Sequence, residues 1–289
     1  MILITGASGN YGKSTIDFLL EKGVPSTQIK ALVRDESKAS HLKSKGLELR
    51  FGDYDNYEQL VEAFAGIDKL LLISGSDPFN RAKQHENVIN AAKEAGVQHV
   101  IYTSFERSNE TESSPIWFIA SSHIATEKLL ISSGLKYTIF RNNLYLDILP
   151  WFFGDNVLET GIFLPAGDTK AALTLRDDMA EATANVLLSE GHEDKVYAFS
   201  NTENVNIQEI AKDLSEVVGK NIPYISPSVE VFTETLTKAQ VPNEFIQMFA
   251  SFTSAIKEGE FEVSTTDLET LLGRKPTTAK EYLSSVYNA

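Results

Sequence analysis

The sequence predicts an α/β fold in which a doubly wound parallel sheet is followed by a smaller, mostly helical C-terminal substrate domain. Short apolar runs alternate with helical patterns over residues 1–140, which is typical of parallel strands joined by right-handed crossovers. Beyond residue 140 this alternation stops, and loops and helices predominate. The first strand also leads into a turn with three glycines and then a helix, an order typical of a Rossmann sheet.

The first half of the chain contains six strand-like runs and five helical patterns. The strands are predicted at residues 2–5, 29–33, 47–51, 69–73, 98–103 and 135–140. The helices are predicted at residues 11–22, 37–45, 57–65, 80–95 and 120–133. Each helix is followed by a glycine suited to a C-terminal cap, namely Gly23, Gly46, Gly66, Gly96 and Gly134. Asp55 and Glu58 are predicted to form a capping box at the start of the third helix.

The second half is predicted to cover the sheet. Its helical patterns lie near residues 177–189, 206–219, 228–240, 243–257, 265–272 and 278–287. A strand at 196–199 is expected to rejoin the sheet. We therefore divide the chain into an NAD(P)-binding Rossmann domain at 1–140 and a smaller substrate-covering region at 141–289.

Composition excludes several classes of function. The 289 residues carry a net charge of −14, so nucleic acids and anionic membranes are poor partners. The chain has no cysteine, which excludes disulfides, thiolate nucleophiles and cysteine metal sites. Its five histidines lack metal-ligand spacing, and no apolar run is long enough to span a membrane. We expect a cytoplasmic monomer or homodimer that holds no metal.

The glycine-rich turn predicts a dinucleotide site. It reads Gly6-Ala7-Ser8-Gly9-Asn10-Tyr11-Gly12 and joins the first strand to the first helix. Bare backbone N–H groups and the positive end of a helix meet there, where a pyrophosphate can bind. Gly6 allows the tight turn, Gly9 lets the backbone approach the phosphates, and Gly12 lets the helix pack closely on the strand.

The end of the second strand favours NADP over NAD. Arg34 stands where an acidic residue would bind the ribose 2′-hydroxyl, and it can pair with a 2′-phosphate. Lys38, one turn into the next helix, can assist. Asp35 has two possible roles: its carboxylate could bind the ribose 2′-hydroxyl, or it could cap the helix that begins near Ser37.

The remaining strand ends supply further candidates, because ligands of such sheets bind beyond the carboxyl ends of the strands. Asp53 is expected either to meet the adenine amino group or to be a solvated turn residue. Ser74-Gly75-Ser76 is small enough for a ribose and phosphates to cross the sheet edge, or is a plain turn. Thr103 and the segment Phe140-Arg141-Asn142-Asn143 are expected to border the nicotinamide.

These motifs together resemble the NmrA-like branch of the atypical short-chain dehydrogenase/reductases. The chain is most similar there to the type-2 NAD(P)H:quinone oxidoreductases and the triphenylmethane reductases, with Gly191-His192-Glu193 as an added match. The resemblance implies NADPH bound at Gly6 to Tyr11, Arg34, Ser74 to Ser76 and Phe140 to Tyr145. No flavin motif is found, so direct transfer from NADPH is expected.

One departure from the wider superfamily bears on chemistry. The usual Tyr-x-x-x-Lys pair is replaced by Ile119 and His123. A reductase of quinones or similar planar electron-poor aromatics needs no such pair, because its acceptor is a strong electrophile. His123 could donate a proton or only pack locally, and Asn142 and Tyr145 are candidates for steering the acceptor carbonyl. Triphenylmethane dyes and azo compounds are alternative acceptors, and a non-catalytic NADP(H)-binding redox sensor is the alternative function.

A flat acceptor also needs a flat apolar slot. The segment Leu144 to Phe153 follows the sixth strand and is rich in aromatic residues. Further candidates for the walls are Phe79, Phe105, Trp117 and Phe118. Each ring could instead belong to the core or to a dimer interface.

Overall fold

The computed structural model describes residues 1–35 and 39–288, and its centre is a seven-stranded parallel sheet. The strands of this sheet are β1 (Ile2–Ile4), β2 (Ile29–Val33), β3 (Glu48–Phe51), β4 (Lys69–Leu72), β5 (His99–Phe105), β6 (Lys136–Asn142) and β8 (Lys195–Phe199). The helices of the first half are α1 (Asn10–Glu21), α2 (Ser40–Ser44), α3 (Tyr57–Phe64), α4 (Arg81–Glu94) and α5 (Trp117–Ser132).

The C-terminal half is mostly helical and carries a two-stranded parallel sheet of its own. Its helices are α6 (Leu149–Phe153), α7 (Val157–Thr160), α8 (Arg176–Leu188), α9 (Ile207–Val218), α10 (Val229–Lys238), α11 (Asn243–Lys257), α12 (Leu268–Leu272) and α13 (Ala279–Tyr287). The small sheet pairs β7 (Ile162–Phe163) with β9 (Tyr224–Ile225).

The strand order of the large sheet is β3-β2-β1-β4-β5-β6-β8. The chain winds from β1 to β3 in one direction, then crosses back to β4 and continues in the other direction. β1 and β4 pair side by side, Ile4 opposite Leu71, so the sheet reverses its winding between them. A crevice opens at such a point beyond the carboxyl ends of the strands, and this is where ligands of doubly wound sheets bind.

Alternating side chains of the strands build a core on each face of the sheet. Ile2 and Ile4 pack with α1, α8 and α12, whereas Leu3 packs with α3, α4 and α5. A third apolar cluster lies within the C-terminal half, and Phe105 at the end of β5 packs against it. The last residues of β5 are therefore shared between the sheet and the region that covers it.

Most predicted elements are present, with small changes at their ends. The glycines expected after the first helices all have positive φ angles, between 74° and 86°. The predicted capping box at Asp55 is wrong, because α3 is capped by Asn56, whose side chain accepts a hydrogen bond from the Gln59 amide at 3.1 Å. In the described part of the chain α2 begins at Ser40, and the predicted helix start at Ser37 lies outside it.

The strand predicted at 196–199 is β8, which pairs in parallel with β6. Phe199 lies opposite Asn142 in this register, so a segment of the second half completes the sheet. Among the described residues, none of the helices combines the length and the apolar character needed to cross a membrane.

Candidate functional site

A cavity of about 350 Å³ lies at the carboxyl end of the sheet, where the winding reverses between β1 and β4. We call it the switch-point groove. Its lining comes from the ends of the first four strands and the start of α4, namely Gly6, Ser8, Gly9, Leu32, Val33, Arg34, Gly52, Asp53, Tyr54, Ile73, Ser74, Gly75, Ser76, Asp77 and Gln84. Eight of the predicted cofactor positions are in this set.

The glycine-rich turn forms the floor of the switch-point groove. Gly6 has a φ of +56°, and a Cβ on it would lie 3.2 Å from the side chain of Ile73. A Cβ on Gly12 would lie 2.5 Å from the Gly6 carbonyl oxygen, so only glycine lets α1 approach the turn this closely. Gly9 is the N-cap of α1, and in the part of the chain that the structure describes no side chain accepts from the first amides of that helix. The positive end of α1 is thus left to a ligand.

The Arg34 side chain is 78% exposed at one end of the switch-point groove, and its guanidinium lies 4.0 Å from the Asp53 carboxylate. Asp53 in turn accepts a hydrogen bond from the Asp55 amide at 3.0 Å, which explains its turn position. An exposed guanidinium that lines the same groove as the start of α1 is well suited to a second phosphate. Lys38, predicted to assist, lies outside the described residues.

The Ser74–Ser76 turn forms the opposite side of the switch-point groove and is held from behind. The Ser74 amide donates to Thr103 Oγ1 at 2.9 Å. The Gly75 amide donates to His85 Nε2 at 3.0 Å, and Arg81 Nε donates to the Gly75 carbonyl at 2.7 Å. Thr103 is buried, so it contacts the groove only through Ser74.

Tyr54 closes the inner wall and was not predicted as a site residue. Its hydroxyl donates to the Ile73 carbonyl at 2.8 Å and is hydrogen-bonded to Thr5 Oγ1. Thr5 Oγ1 also accepts from the Ile73 amide at 2.9 Å, so the ends of β1, β3 and β4 are tied together. The other lining residues missed by sequence reasoning are Leu32, Val33, Gly52, Ile73, Asp77 and Gln84. Most adjoin a predicted residue at a strand end, which is the signal that could have found them.

Three residues of the glycine-rich turn, Ala7, Tyr11 and Gly12, are buried and do not line the groove. The Tyr11 hydroxyl is hydrogen-bonded to Thr183 Oγ1 at 2.8 Å, so its ring packs on α8. Asn10 is exposed at the first turn of α1, also outside the groove lining. These positions shape the turn and present backbone, while their side chains point elsewhere.

The side chains at the end of β6 diverge. Phe140 is buried in the core, its ring stacked 4.1 Å from that of Phe199, and does not face the switch-point groove. Arg141 turns to α5 and pairs with the Glu127 carboxylate at 2.8 Å. Asn143 Nδ2 donates to Ser200 Oγ at 3.0 Å and so anchors the start of the C-terminal half.

Glu127 is the centre of a buried ion network to which the sequence analysis assigned no role. It pairs with Arg107 Nη1 at 2.7 Å as well as with Arg141, and the Arg107 side chain is almost wholly buried. Burial opposes ionisation of Glu127, but the hydrogen bonds from these arginines outweigh it and hold its pKa below the usual value. The network joins the ends of β5 and β6 to α5.

Asn142 and Tyr145 lie together beyond β6 and have unused hydrogen-bonding capacity. Asn142 is buried, its Nδ2 lies 3.5 Å from the Tyr145 hydroxyl, and its Oδ1 has no partner within the described part of the chain. Arg176 covers the Tyr145 ring at 5.2 Å. Burial raises the pKa of Tyr145, so its hydroxyl remains protonated at neutral pH. An unpartnered buried amide oxygen fits a ligand that brings its own donor.

One nitrogen and the ring faces of His123 contact neighbouring side chains. Its Nδ1 lies 2.6 Å from the Tyr102 hydroxyl, and its ring stacks on that of Phe105 at 5.7 Å. Burial, with the nearby Arg81 guanidinium, holds the pKa of His123 well below its usual value. The ring is therefore neutral at physiological pH, as required of a residue that packs locally.

The aromatic candidates separate into two groups. Phe105 packs edge-on against Phe252 and Phe261, and Trp151 and Phe152 pack against Phe249 of α11. These rings form one wall between β5 and the C-terminal half. Phe79 is different, since it is 85% exposed on the loop that follows Asp77 at the groove rim. Trp117 and Phe118 are partly exposed at the start of α5.

Comparison with known proteins gives consistent matches over the whole chain. The model of the NmrA-like family matches residues 1–283. Quinone oxidoreductase 2 of Escherichia coli (strain K12) is 40% identical over 290 residues, which cover 100% of this chain and 99% of that protein. The triphenylmethane reductase of Citrobacter sp. has a TM-score of 0.91 at 37% identity, over 100% of this chain and 99% of that one.

A solved structure with bound cofactor is equally similar. The NADPH-dependent quinone oxidoreductase from Escherichia coli, complexed with NADPH, has a TM-score of 0.90 at 37% identity over 100% of both chains. The predicted Rossmann fold and the predicted oxidoreductase, similar to NAD(P)H:quinone oxidoreductases, are confirmed by these matches. The chain belongs to the NmrA-like family.

Proposed function

We propose that the chain is an NADPH-dependent reductase that transfers hydride directly to quinones or similar planar electron-poor aromatics. The full-length similarity to a quinone oxidoreductase and to a triphenylmethane reductase supports this proposal. Independence of flavin and metal, a cytoplasmic location and a monomeric or homodimeric state are parts of the same proposal. So is the division into a cofactor domain at 1–140 and a substrate-covering region at 141–289.

The switch-point groove supports NADPH as the cofactor. The first amides of α1 would receive the pyrophosphate, because within the described residues no side chain caps them, whereas the Gly9 amide already donates to the Gly6 carbonyl at 2.9 Å. Arg34 is exposed and would pair with the 2′-phosphate. Ser74 and Ser76 would border the cofactor on the β4 side. NADPH, when bound, supplies the hydride.

The choice of acceptor rests on one observation: the positions of the usual proton-donating pair hold residues that do not donate a proton. Ile119 replaces the tyrosine of the wider superfamily, and His123 at the lysine position is buried, neutral and hydrogen-bonded to Tyr102. A simple ketone needs a proton as hydride arrives, since an alkoxide is too basic to leave unprotonated. A quinone does not need this proton, because its reduced anion is stable. A cationic triphenylmethane dye does not need it either, because the dye becomes neutral when it takes up hydride. This geometry favours acceptors of the second kind.

Asn142 and Tyr145 would position the acceptor. The Tyr145 hydroxyl receives a hydrogen bond from Asn142, remains protonated, and can donate a hydrogen bond to a carbonyl oxygen. Arg176 holds the Tyr145 ring from the far side. Phe105 and Phe252, which pack against the buried Phe261, would supply apolar surface near His123.

Loss of NADPH absorbance tests the proposal with a panel of benzoquinones, naphthoquinones, a triphenylmethane dye, an azo dye and a simple aliphatic ketone. We expect oxidation with at least one planar acceptor and none with the ketone. Prior treatment with a chelator, and a check that the purified protein carries no flavin, should leave the rate unchanged. Tight NADPH binding without oxidation by any acceptor would contradict the reductase and support the redox sensor.

A further inference from the structure

The middle residue of the Ser74–Ser76 turn is bound through both of its backbone groups by two side chains of α4. His85 Nε2 accepts from the Gly75 amide at 3.0 Å, and Arg81 Nε donates to the Gly75 carbonyl at 2.7 Å. Both side chains are buried behind the switch-point groove and neither lines it. Both backbone groups of Gly75 are therefore hydrogen-bonded, and a change in its conformation would break at least one of these bonds.

A second layer on α5 orients both of these side chains. His85 Nδ1 lies 3.0 Å from Thr126 Oγ1, and Thr126 Oγ1 donates to the Ser122 carbonyl at 2.8 Å. Because the Thr126 proton is used in that bond, the proton between His85 and Thr126 must belong to Nδ1. His85 is thus the tautomer whose Nε2 is an acceptor. Arg81 Nη1 donates to Ser122 Oγ at 3.0 Å.

The charge state of His85 agrees with this role. Burial, reinforced by the neighbouring Arg81 guanidinium, lowers the pKa of His85 to about 3. The ring is neutral at physiological pH and keeps its acceptor nitrogen towards Gly75.

We propose that His85 and Arg81 are positioning residues for NADPH: they hold the Ser74–Ser76 turn in its binding conformation before the nucleotide arrives. This inference rests on the proposed function of the switch-point groove. A preformed turn lowers the ordering cost of binding, so its loss weakens affinity for the nucleotide more than it slows hydride transfer. Thr126 does not contact the turn itself, but its hydrogen bond with Nδ1 sets the tautomer of His85.

The first test compares two substitutions at one position, His85→Leu and His85→Gln. Leucine fills the site but cannot accept from Gly75, whereas the glutamine carbonyl can. We expect His85→Leu to raise the Kd of NADPH, measured by nucleotide fluorescence, by about tenfold, the size of one lost hydrogen bond. His85→Gln should return the Kd to within about threefold of the unsubstituted protein. The kcat at saturating NADPH should change less than the Kd in both variants.

His99→Gln is the matched control. His99 is also a buried histidine with a threonine partner, Thr138 Oγ1 at 2.8 Å, but it begins β5 at the amino end of the sheet, far from the switch-point groove. A general loss of packing would weaken binding in this variant too, whereas the positioning role predicts an unchanged Kd. Thr126→Val, which frees the His85 tautomer, should raise the Kd by severalfold.

The outcomes separate this inference from the function it rests on. Equal Kd values for the unsubstituted protein, His85→Leu and Thr126→Val overturn the positioning role and leave the reductase intact. Equal weakening in His85→Leu, His85→Gln and His99→Gln also overturns it, because that pattern indicates stability alone. Absence of NADPH binding by the unsubstituted protein overturns both the proposed function and this inference.

Discussion

The Tyr102 hydroxyl and His123 Nδ1 are joined by a buried hydrogen bond of 2.6 Å, at the place where the wider superfamily keeps its catalytic lysine. The two rings also stack, with their centroids 6.0 Å apart. His123, the candidate proton donor, is therefore part of the buried core that supports the end of β5. This arrangement agrees with the proposed catalysis by positioning, in which no proton delivery is enforced.

His123→Phe tests whether His123 transfers a proton. Phenylalanine keeps the stack on Phe105 and loses only the bond to Tyr102. We expect kcat with a quinone to show the same pH profile as the unsubstituted protein, because a neutral buried ring does not titrate in the working range. The free energy of unfolding should fall by about 1–3 kcal/mol, the cost of an unsatisfied buried hydroxyl. Loss of an ionisation from the kcat profile would restore the proton-donor role.

Arg34→Gln tests the preference for NADPH. We expect the Kd of NADPH to rise by about tenfold to a hundredfold, the value of a hydrogen bond to a charged group, while the Kd of NADH stays unchanged. Arg50→Gln is the control, because Arg50 pairs with Glu48 at 2.7 Å and does not line the switch-point groove. An equal effect on both nucleotides would exclude a contact to the 2′-phosphate.

Gly12→Ala tests the packing of α1 on the glycine-rich turn. The added Cβ would lie 2.5 Å from the Gly6 carbonyl oxygen, so the helix must shift. We expect a loss of about 1–3 kcal/mol in the free energy of unfolding and weaker NADPH binding. Gly9→Ala, whose Cβ would lie 3.3 Å from the same oxygen, should be milder in urea unfolding. The reverse order of stability would contradict the close approach assigned to Gly12.

The free energy of unfolding should depend on pH in part because the pKa of His85 differs between the folded and the unfolded chain. In the unfolded chain a histidine takes up a proton near pH 6.5, whereas His85 in the fold has a pKa of about 3. The unfolded state therefore binds more protons below about pH 6.5, and stability falls as the pH is lowered. His123 acts in the same direction, while burial raises the pKa of Glu106 and so opposes the trend.

The comparison with His85→Gln isolates this contribution. Between about pH 7.5 and pH 5, the unsubstituted protein should lose about 2 kcal/mol more unfolding free energy than the variant. Urea unfolding at several pH values in the same buffer series measures the difference. Parallel curves for the two proteins would mean that the pKa of His85 is the same in the folded and the unfolded chain, so that the fold does not hold the ring neutral.

Local sequence was sufficient for the strand ends that form the switch-point groove. Gly6, Arg34 and Asp53 were predicted because strand, turn and helix follow one another directly, and because parallel strands must end at one edge of the sheet. Phe140 and Arg141 could not be placed in this way. They are neighbours on one strand, so alternation sends their side chains to opposite faces, and neither face is the groove.

The sheet, the glycine-rich turn and the family of this protein could all be predicted from the amino-acid sequence, since they depend on short-range spacing and periodicity. The tertiary structure alone decided which side chains meet. His85 and Arg81 reach Gly75 only because α4 packs beside the end of β4, and His123 meets Tyr102 only because α5 packs on β5. Which residues far apart in the sequence come into contact depends on how whole helices and strands pack together, and local sequence patterns do not show this.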